Sequence, residues 1–158
     1  MTNEELRFLE RAIELSNEGM KSGQGGPFGC VVVRNNEIVG EGCNRVTATN
    51  DPTAHAEVVA IRNACQHLKT FQLTDCDIYT SCEPCPMCLG AIYWARPRRV
   101  IYANTKGDAA AIAFDDQYIY EEIEKRNEDR QIPFVHHPHP AALAVFEQWK
   151  NEGNKIVY

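Results

Sequence analysis

Four side chains carry the chemistry this sequence can do. His55 and Glu57 stand together in Pro-Thr-Ala-His-Ala-Glu, and Cys85 and Cys88 stand about thirty residues further on in Cys-Glu-Pro-Cys-Pro-Met-Cys. Imidazole nitrogen and thiolate sulfur are natural zinc ligands. Three protein ligands leave the fourth tetrahedral corner for water, the pattern of a catalytic rather than a structural site. A C-x-x-C by itself fits a structural zinc or a redox pair. Here it is paired with an upstream H-x-E, and a redox pair should also sit in a thioredoxin-like pattern, which the chain lacks.

The ligands dictate the elements around them. Pro86 suits the first position of a helix, where its missing N–H costs nothing. That makes Cys85 the cap residue and puts Cys88 on the same side of the first turn. Both sulfurs then face the positive end of a helix dipole, which favours thiolates. His55 and Glu57, at i and i+2, do not share a helix face. They converge only if His55 lies at a helix entrance, and Pro52 upstream fits one. A zinc ion is therefore predicted between two helix N-termini. The dication, two thiolates and a neutral imidazole sum to zero charge, so such a zinc acidifies its water less than a three-histidine zinc would. A neighbouring base is useful, and Glu57 is the carboxylate in reach. It would take a proton from the zinc-bound water, the nucleophile, and deliver it to the ring nitrogen and the leaving amine.

The remaining elements follow from patterning. Thr2 and Glu5 form a capping-box pattern, and Leu6, Leu9, Ile13 and Met20 recur at helical spacing, so a helix runs to about Lys21. Ser22 to Pro27 breaks it. Cys30 to Val33 and Ile38 to Gly42, joined at Asn35-Asn36, read as a β-hairpin. Val46 to Pro52 reads as a polar loop with turn chemistry at Asn50-Asp51-Pro52. A helix is predicted over His55 to His67, with Val58, Ile61, Ala64 and Cys65 as its inner stripe. Asp77 to Thr80 reads as a strand, Pro86 to Ala95 as a helix and Arg99 to Ala103 as a strand. Beyond Gly107 the pattern predicts helix over Asp116 to Asn127, an extended Ile132 to Val135, and helix over Pro140 to Asn151. Strands separated by helices imply parallel neighbours beside the antiparallel hairpin, so the fold class is α/β with a mixed, layered sheet.

The chain's 158 residues make one domain. Sixteen basic against 22 acidic side chains leave a net charge of −6, which offers no electrostatic footprint for nucleic acid. No apolar run is long enough to span a membrane. Met1 to Arg11 is acidic and amphipathic, unlike a secretion signal, so a cytoplasmic protein is expected. There the seven cysteines would stay free, bind metal or do chemistry.

H-x-E followed by P-C-x-x-C is the signature of zinc nucleobase deaminases. The whole chain most resembles the small bacterial guanine deaminases of the cytidine deaminase-like superfamily. The matching stretches are Gly25-Gly-Pro-Phe-Gly29, Asn50-Asp-Pro-Thr-Ala-His-Ala-Glu57, the run Tyr79 to Pro97, and Phe114-Asp-Asp-Gln-Tyr-Ile-Tyr120. The Phe114-Asp115-Asp116 stretch and the terminal Tyr158 are particular to the guanine branch. The resemblance implies a three-layer α/β/α fold with a mixed central sheet of about five strands flanked by helices. It implies hydrolysis of guanine to xanthine and ammonia with one zinc per subunit. It implies a homodimer whose C-terminal segment, about residues 120–158, is swapped between subunits so that Tyr158 closes the partner's pocket. Carried over singly, His55, Cys85 and Cys88 would hold zinc and Glu57 would shuttle protons. Phe28 would stack on the base, Asn44 would hydrogen-bond it, His55 and Ala56 would contact it, and Trp94 would line the pocket. Asp116 would read the substrate edge and help move the second proton.

Chemistry supports part of this. Guanine presents N1–H and its 2-amino group side by side, a pair that suits an acceptor-only carboxylate such as Asp116. Adenine has an acceptor at N1 and would be repelled. Asn44 can donate to O6 or N7, and Phe28 or Trp94 can supply a flat wall. Plainer readings stand beside these. Phe28 and Trp94 could be core, Asn44 a strand-end cap, Asp115-Asp116 a turn pair and Tyr158 a frayed end. Cys30, Cys43, Cys65 and Cys76 read as small core hydrophobes and Cys82 as packing beside the site. His136, His137 and His139, without spaced partners, read as surface loop. The rival enzymes are a tRNA adenosine deaminase, which the negative charge disfavours, and a deaminase of cytosine, cytidine or guanosine. A non-catalytic zinc-stabilised interaction domain would have no need of Glu57.

Overall fold

The computed structural model describes residues 2–158. The chain divides into two compact units, one reaching to Asp116 and a second spanning Gln117–Tyr158. The first unit contains helix α1 (Asn3–Lys21), strands β1 (Gly29–Arg34) and β2 (Glu37–Cys43), and helices α2 (Val46–Thr49) and α3 (Ala56–Leu68). Strand β3 (Cys76–Cys82), helix α4 (Pro86–Ala95), strand β4 (Arg99–Asn104) and helix α5 (Lys106–Ala111) complete it. The second unit holds α6 (Gln117–Glu124), a single 3-10 turn at Asn127–Asp129, and α7 (Pro140–Asn151).

Local signals set most of these boundaries. Thr2 Oγ1 accepts from the Glu5 amide at 3.1 Å and Glu5 Oε2 accepts from the Thr2 amide at 2.7 Å, the reciprocal box that starts α1. Asn35 and Asn36 take φ of 49° and 66°, the left-handed pair that a tight hairpin turn requires. The hairpin is antiparallel. Strand β1 also pairs antiparallel with β3, and β3 pairs parallel with β4, which orders the sheet β2-β1-β3-β4. Strands β2 and β3, joined through α3, thus run parallel with β1 between them.

Side-chain alternation along the central strands sorts the core into two faces. Val31, Val33 and Tyr79 pack with Phe8, Leu9 and Leu15 of α1. Cys30, Val32, Cys76 and Ile78 pack with Ala56, Ala60 and Ala64 of α3 and Ile92 and Ala95 of α4. Helix, sheet and helix pair therefore form three layers in this unit.

Several expectations need correction. The sheet has four strands among the described residues rather than about five. Ile132 to Val135, expected to be extended, belongs to no strand, because a strand exists only by pairing and none of the described residues pairs with it. The inner stripe of α3 is Ala56, Glu57, Ala60 and Ala64, while Val58, Ile61 and Cys65 are only partly buried. The cause is close approach to β2. A Cβ on Gly42 would lie 2.4 Å from the Ala56 carbonyl oxygen and one on Gly40 2.5 Å from the Ala60 carbonyl oxygen, so the helix backbone lies against the strand and alanines fit at the contact. Val46 to Pro52 is not all loop, since α2 occupies its start. Helix α5 was not foreseen, although Thr105 and Asp108 form a reciprocal capping box. Cys30 and Cys76 are buried, whereas Cys43 and Cys65 are half-exposed.

In the second unit no residue is buried. His139 caps α7 by accepting the Ala141 amide at its Nδ1, 3.2 Å away, with Pro140 as the first helical residue. Leu143, Phe146 and Trp149 on α7, with Ile132, Phe134 and Val135 ahead of it, are exposed apolar side chains. Among the described residues no helix is long and apolar enough to cross a membrane.

Candidate metal centre

Two helix entrances meet at one point. His55 is the N-cap of α3, with φ −70° and ψ 155°, and its side chain makes no capping bond. Cys85 is the N-cap of α4, with φ −66° and ψ 169°, and Pro86 follows at the first position. Upstream of α3, Asp51 Oδ1 accepts from both the Thr53 amide (2.8 Å) and the Thr53 hydroxyl (2.7 Å), an Asx turn that fixes the approach to His55. Because His55 is extended and Glu57 is helical, the i, i+2 pair converges as predicted.

The geometry fits a zinc ion. His55 Nδ1 lies 3.5 Å from Cys85 Sγ and 3.5 Å from Cys88 Sγ. Tetrahedral bonds of about 2.0–2.1 Å to nitrogen and about 2.3 Å to sulfur set an N···S edge of roughly 3.5 Å. Among the described residues, this is the group of three metal-ligating side chains whose donor atoms lie together, all within 4.8 Å. His136, His137 and His139 form no such group. Glu57 does not join the triad as a ligand atom. Its Oε2 lies 3.3 Å from Cys88 Sγ.

The protonation balance of the site points the same way. A hydrogen bond from Cys88 and the adjacent His55 pull the Cys85 thiol down, so Cys85 favours thiolate. The Cys88 thiol is pushed up, chiefly because its proton is held against that thiolate and because it is buried. Metal binding requires both thiols to give up their protons. Hydrogen bonding to Cys85 raises His55. Burial raises the Glu57 carboxyl, which is 6% exposed, above the usual carboxylate range.

Beside the triad lies a candidate cradle for a planar ring. Asn44 is buried, and its Oδ1 accepts from the Gly26 amide at 3.3 Å and the Val46 amide at 3.2 Å. Those two donors fix the amide orientation through its oxygen and leave Nδ2 as the group that can donate. Only glycine fits at position 25, where a Cβ would sit 2.1 Å from Asn44 Oδ1. Phe28 is half-buried against the core and meets Phe114 edge-on, with centroids 4.9 Å apart at 89°. Ala56, the first residue of α3, is fully buried. Asp116 is half-buried, and burial followed by the negative charge of Cys85 raises its carboxyl.

Two more of the named residues are exposed in this chain. Trp94 is 64% exposed and lies off the buried stripe of α4, formed by Cys88, Ile92 and Ala95. Tyr158 is 65% exposed at the end of the second unit. Thr80 and Ser81 were missed. Both are buried hydroxyls in a strand that is buried throughout. Polar side chains in such a strand were the available signal, since a buried hydroxyl must find a partner.

The chain's relatives agree with this geometry. Residues 2–104 match the family model of the cytidine and deoxycytidylate deaminase zinc-binding region. The guanine deaminase of Bacillus subtilis (strain 168) is 56% identical over 151 residues, 96% of this chain and 97% of that protein. A crystal structure of guanine deaminase from Bacillus subtilis superposes with a TM-score of 0.95 at 55% identity, covering 100% of this chain and 99% of that one. The tRNA-specific adenosine deaminase of Buchnera aphidicola subsp. Baizongia pistaciae is 39% identical over 102 residues, 65% of this chain and 62% of that protein.

Proposed function

The chain belongs to the cytidine and deoxycytidylate deaminase zinc-binding family, and we propose on that premise that it hydrolyses guanine to xanthine and ammonia. One observation carries the substrate. The likeness to a guanine deaminase spans 151 residues and so runs well into the second unit, whereas the likeness to a tRNA adenosine deaminase spans 102. The resident metal is zinc, held by His55, Cys85 and Cys88 with one ion per subunit. When bound, it supplies the Lewis acid that acidifies the attacking water.

The chain's own residues do the rest. Glu57 takes the proton of the water that adds to C2 of guanine. It passes that proton to the ring nitrogen N3 as the C2–O bond forms, and the remaining hydroxyl proton then goes to the 2-amino group, so that the C2–N bond breaks with loss of ammonia as C2 becomes a carbonyl. Asp116 accepts from N1–H and the 2-amino group and helps carry the second proton. Asn44 donates from Nδ2 to a ring acceptor, either O6 or N7, while its Oδ1 stays on the backbone. Phe28, braced by Phe114, stacks on the base. His55 and Ala56 form the floor at the start of α3, and Trp94 lines the pocket.

We assign the second unit to subunit exchange within a homodimer. Its helices of 8 and 12 residues are too short to be stable without a surface to pack on. Its apolar side chains are exposed, and β4 is an edge strand. A partner's segment from about residue 120 to 158 would cover such a surface and bring Tyr158 over the site, closing it to water. The free cysteines suit a reducing compartment, and the cytoplasm is the assigned location.

Incubating the zinc-loaded protein with guanine, guanosine, cytosine, adenine and an adenosine-containing tRNA, while following ammonia and ultraviolet spectra, tests the substrate. Guanine is expected to turn over fastest, and preferred turnover of any other compound overturns the assignment. Sedimentation should give a dimer. Deleting residues 156–158 should leave that dimer intact but lower kcat, since the closing tyrosine is removed. A monomeric parent removes the exchange, and an unchanged kcat removes the role of Tyr158.

A further inference from the structure

We infer that Thr80 is a positioning residue for Glu57, its buried hydroxyl set between the Glu57 carboxylate and the Gly29 carbonyl. Thr80 lies on β3 with Cys76 and Ile78, on the sheet face that packs against α3. It is 1% exposed, and its Oγ1 lies 3.4 Å from Glu57 Oε1 and 3.4 Å from the Gly29 carbonyl oxygen. A hydroxyl on an otherwise apolar face costs free energy unless it is hydrogen-bonded. Valine has nearly the same shape and carries no such requirement. The hydroxyl here therefore serves the groups it touches.

The carboxylate needs an outside hold. The terminal torsion of a glutamate is broad and roughly two-fold, so packing of the chain does not fix the carboxylate plane. Thr80 meets Oε1 from the sheet side, while Oε2 lies toward Cys88. Held at one oxygen, the carboxylate presents the other to the metal centre. The same strand grips Gly29 twice. The Gly29 amide donates to Ser81 Oγ at 3.0 Å, and the Gly29 carbonyl faces Thr80 Oγ1. Gly29 directly follows Phe28, so one pair of adjacent hydroxyls registers the carboxylate against the residue that stacks on the base.

This inference rests on the proton-carrying role proposed for Glu57. Thr80→Val removes the hydroxyl at nearly constant volume, and Thr80→Ser keeps it. The valine variant should lose about 10–100-fold in kcat for guanine, the size seen when an orienting partner beside a metal site is removed, with KM and zinc content unchanged. The serine variant should keep most of the parent's kcat. In crystals of the zinc-loaded valine variant the Glu57 carboxylate should be rotated or take two orientations, and in the serine variant it should sit as in the parent. Should the valine variant fail to fold, Thr80→Ala against Thr80→Ser gives the same comparison. A valine variant with the parent's kcat, or with Glu57 unmoved, overturns the inference. So does an equal loss in valine and serine variants, which would mean only packing was disturbed. A parent that does not deaminate guanine sinks the functional proposal instead, and the crystallographic orientation of Glu57 still decides the role of Thr80.

Discussion

Glu57→Gln should bind zinc at the parent's stoichiometry and deaminate guanine about 10²–10⁴-fold more slowly, the range that a positioned acid–base contributes. Glutamine keeps the shape and can still meet the Thr80 hydroxyl, but it cannot take a proton from water and return it to the ring. The metal should stay because the triad is His55, Cys85 and Cys88, with Glu57 beside Cys88 rather than in place of a ligand. Thermal stability should equal or exceed the parent's. Burial raises the Glu57 carboxyl, so the folded chain gains nothing from ionising it, and a neutral amide lifts that burden. Loss of activity with gain of stability is the signature of a group retained for chemistry. Metal content by emission spectroscopy, turnover by ammonia release and a melting curve together decide it. Retained turnover would remove Glu57 as the proton carrier.

Stripping the metal should abolish deamination and lower stability in one step, and readdition of zinc should restore both. Two N-caps and the third residue of α4 are gathered at one point. Without a cation nothing bridges these three donor groups. Zinc at about a thousand times its Kd stabilises the folded chain by about 4 kcal/mol. For a chain of this size, that corresponds to a melting temperature lower by about 8–16 °C in the stripped protein. Cys88→Ala should reproduce the loss without a chelator, and zinc should not rescue it. Undiminished deamination after complete metal removal would contradict the mechanism at its root.

Much of the site was legible along the chain because its parts are local. A proline after Cys85 and an Asx turn before His55 each set a helix entrance, and a cap residue's geometry depends on its immediate neighbours. The hairpin turn at Asn35-Asn36 and the capping box of α1 were readable for the same reason. The box of α5, Thr105 with Asp108, is equally local, but the helix it starts has only six residues. Helix α2 spans four residues and has no periodicity to read. The α3 stripe departs from its hydrophobic pattern, which points Val58, Ile61 and Cys65 at the core. Contact with the glycines of β2 turned the alanines inward instead.

By itself, the sequence determined the zinc-binding character of the chain, the grouping of His55, Cys85 and Cys88 near Glu57, and the α/β class. Each is written in short-range spacing and in helix-cap chemistry that tertiary packing does not override. Only the folded chain decided the order β2-β1-β3-β4 and which way the Asn44 amide faces. The same holds for the solvent exposure of Trp94 in this chain and for Thr80 standing behind Glu57, 23 residues away along the chain. Those facts come from pairings between distant segments, where every candidate partner is chemically able to bond and only the packed arrangement selects one.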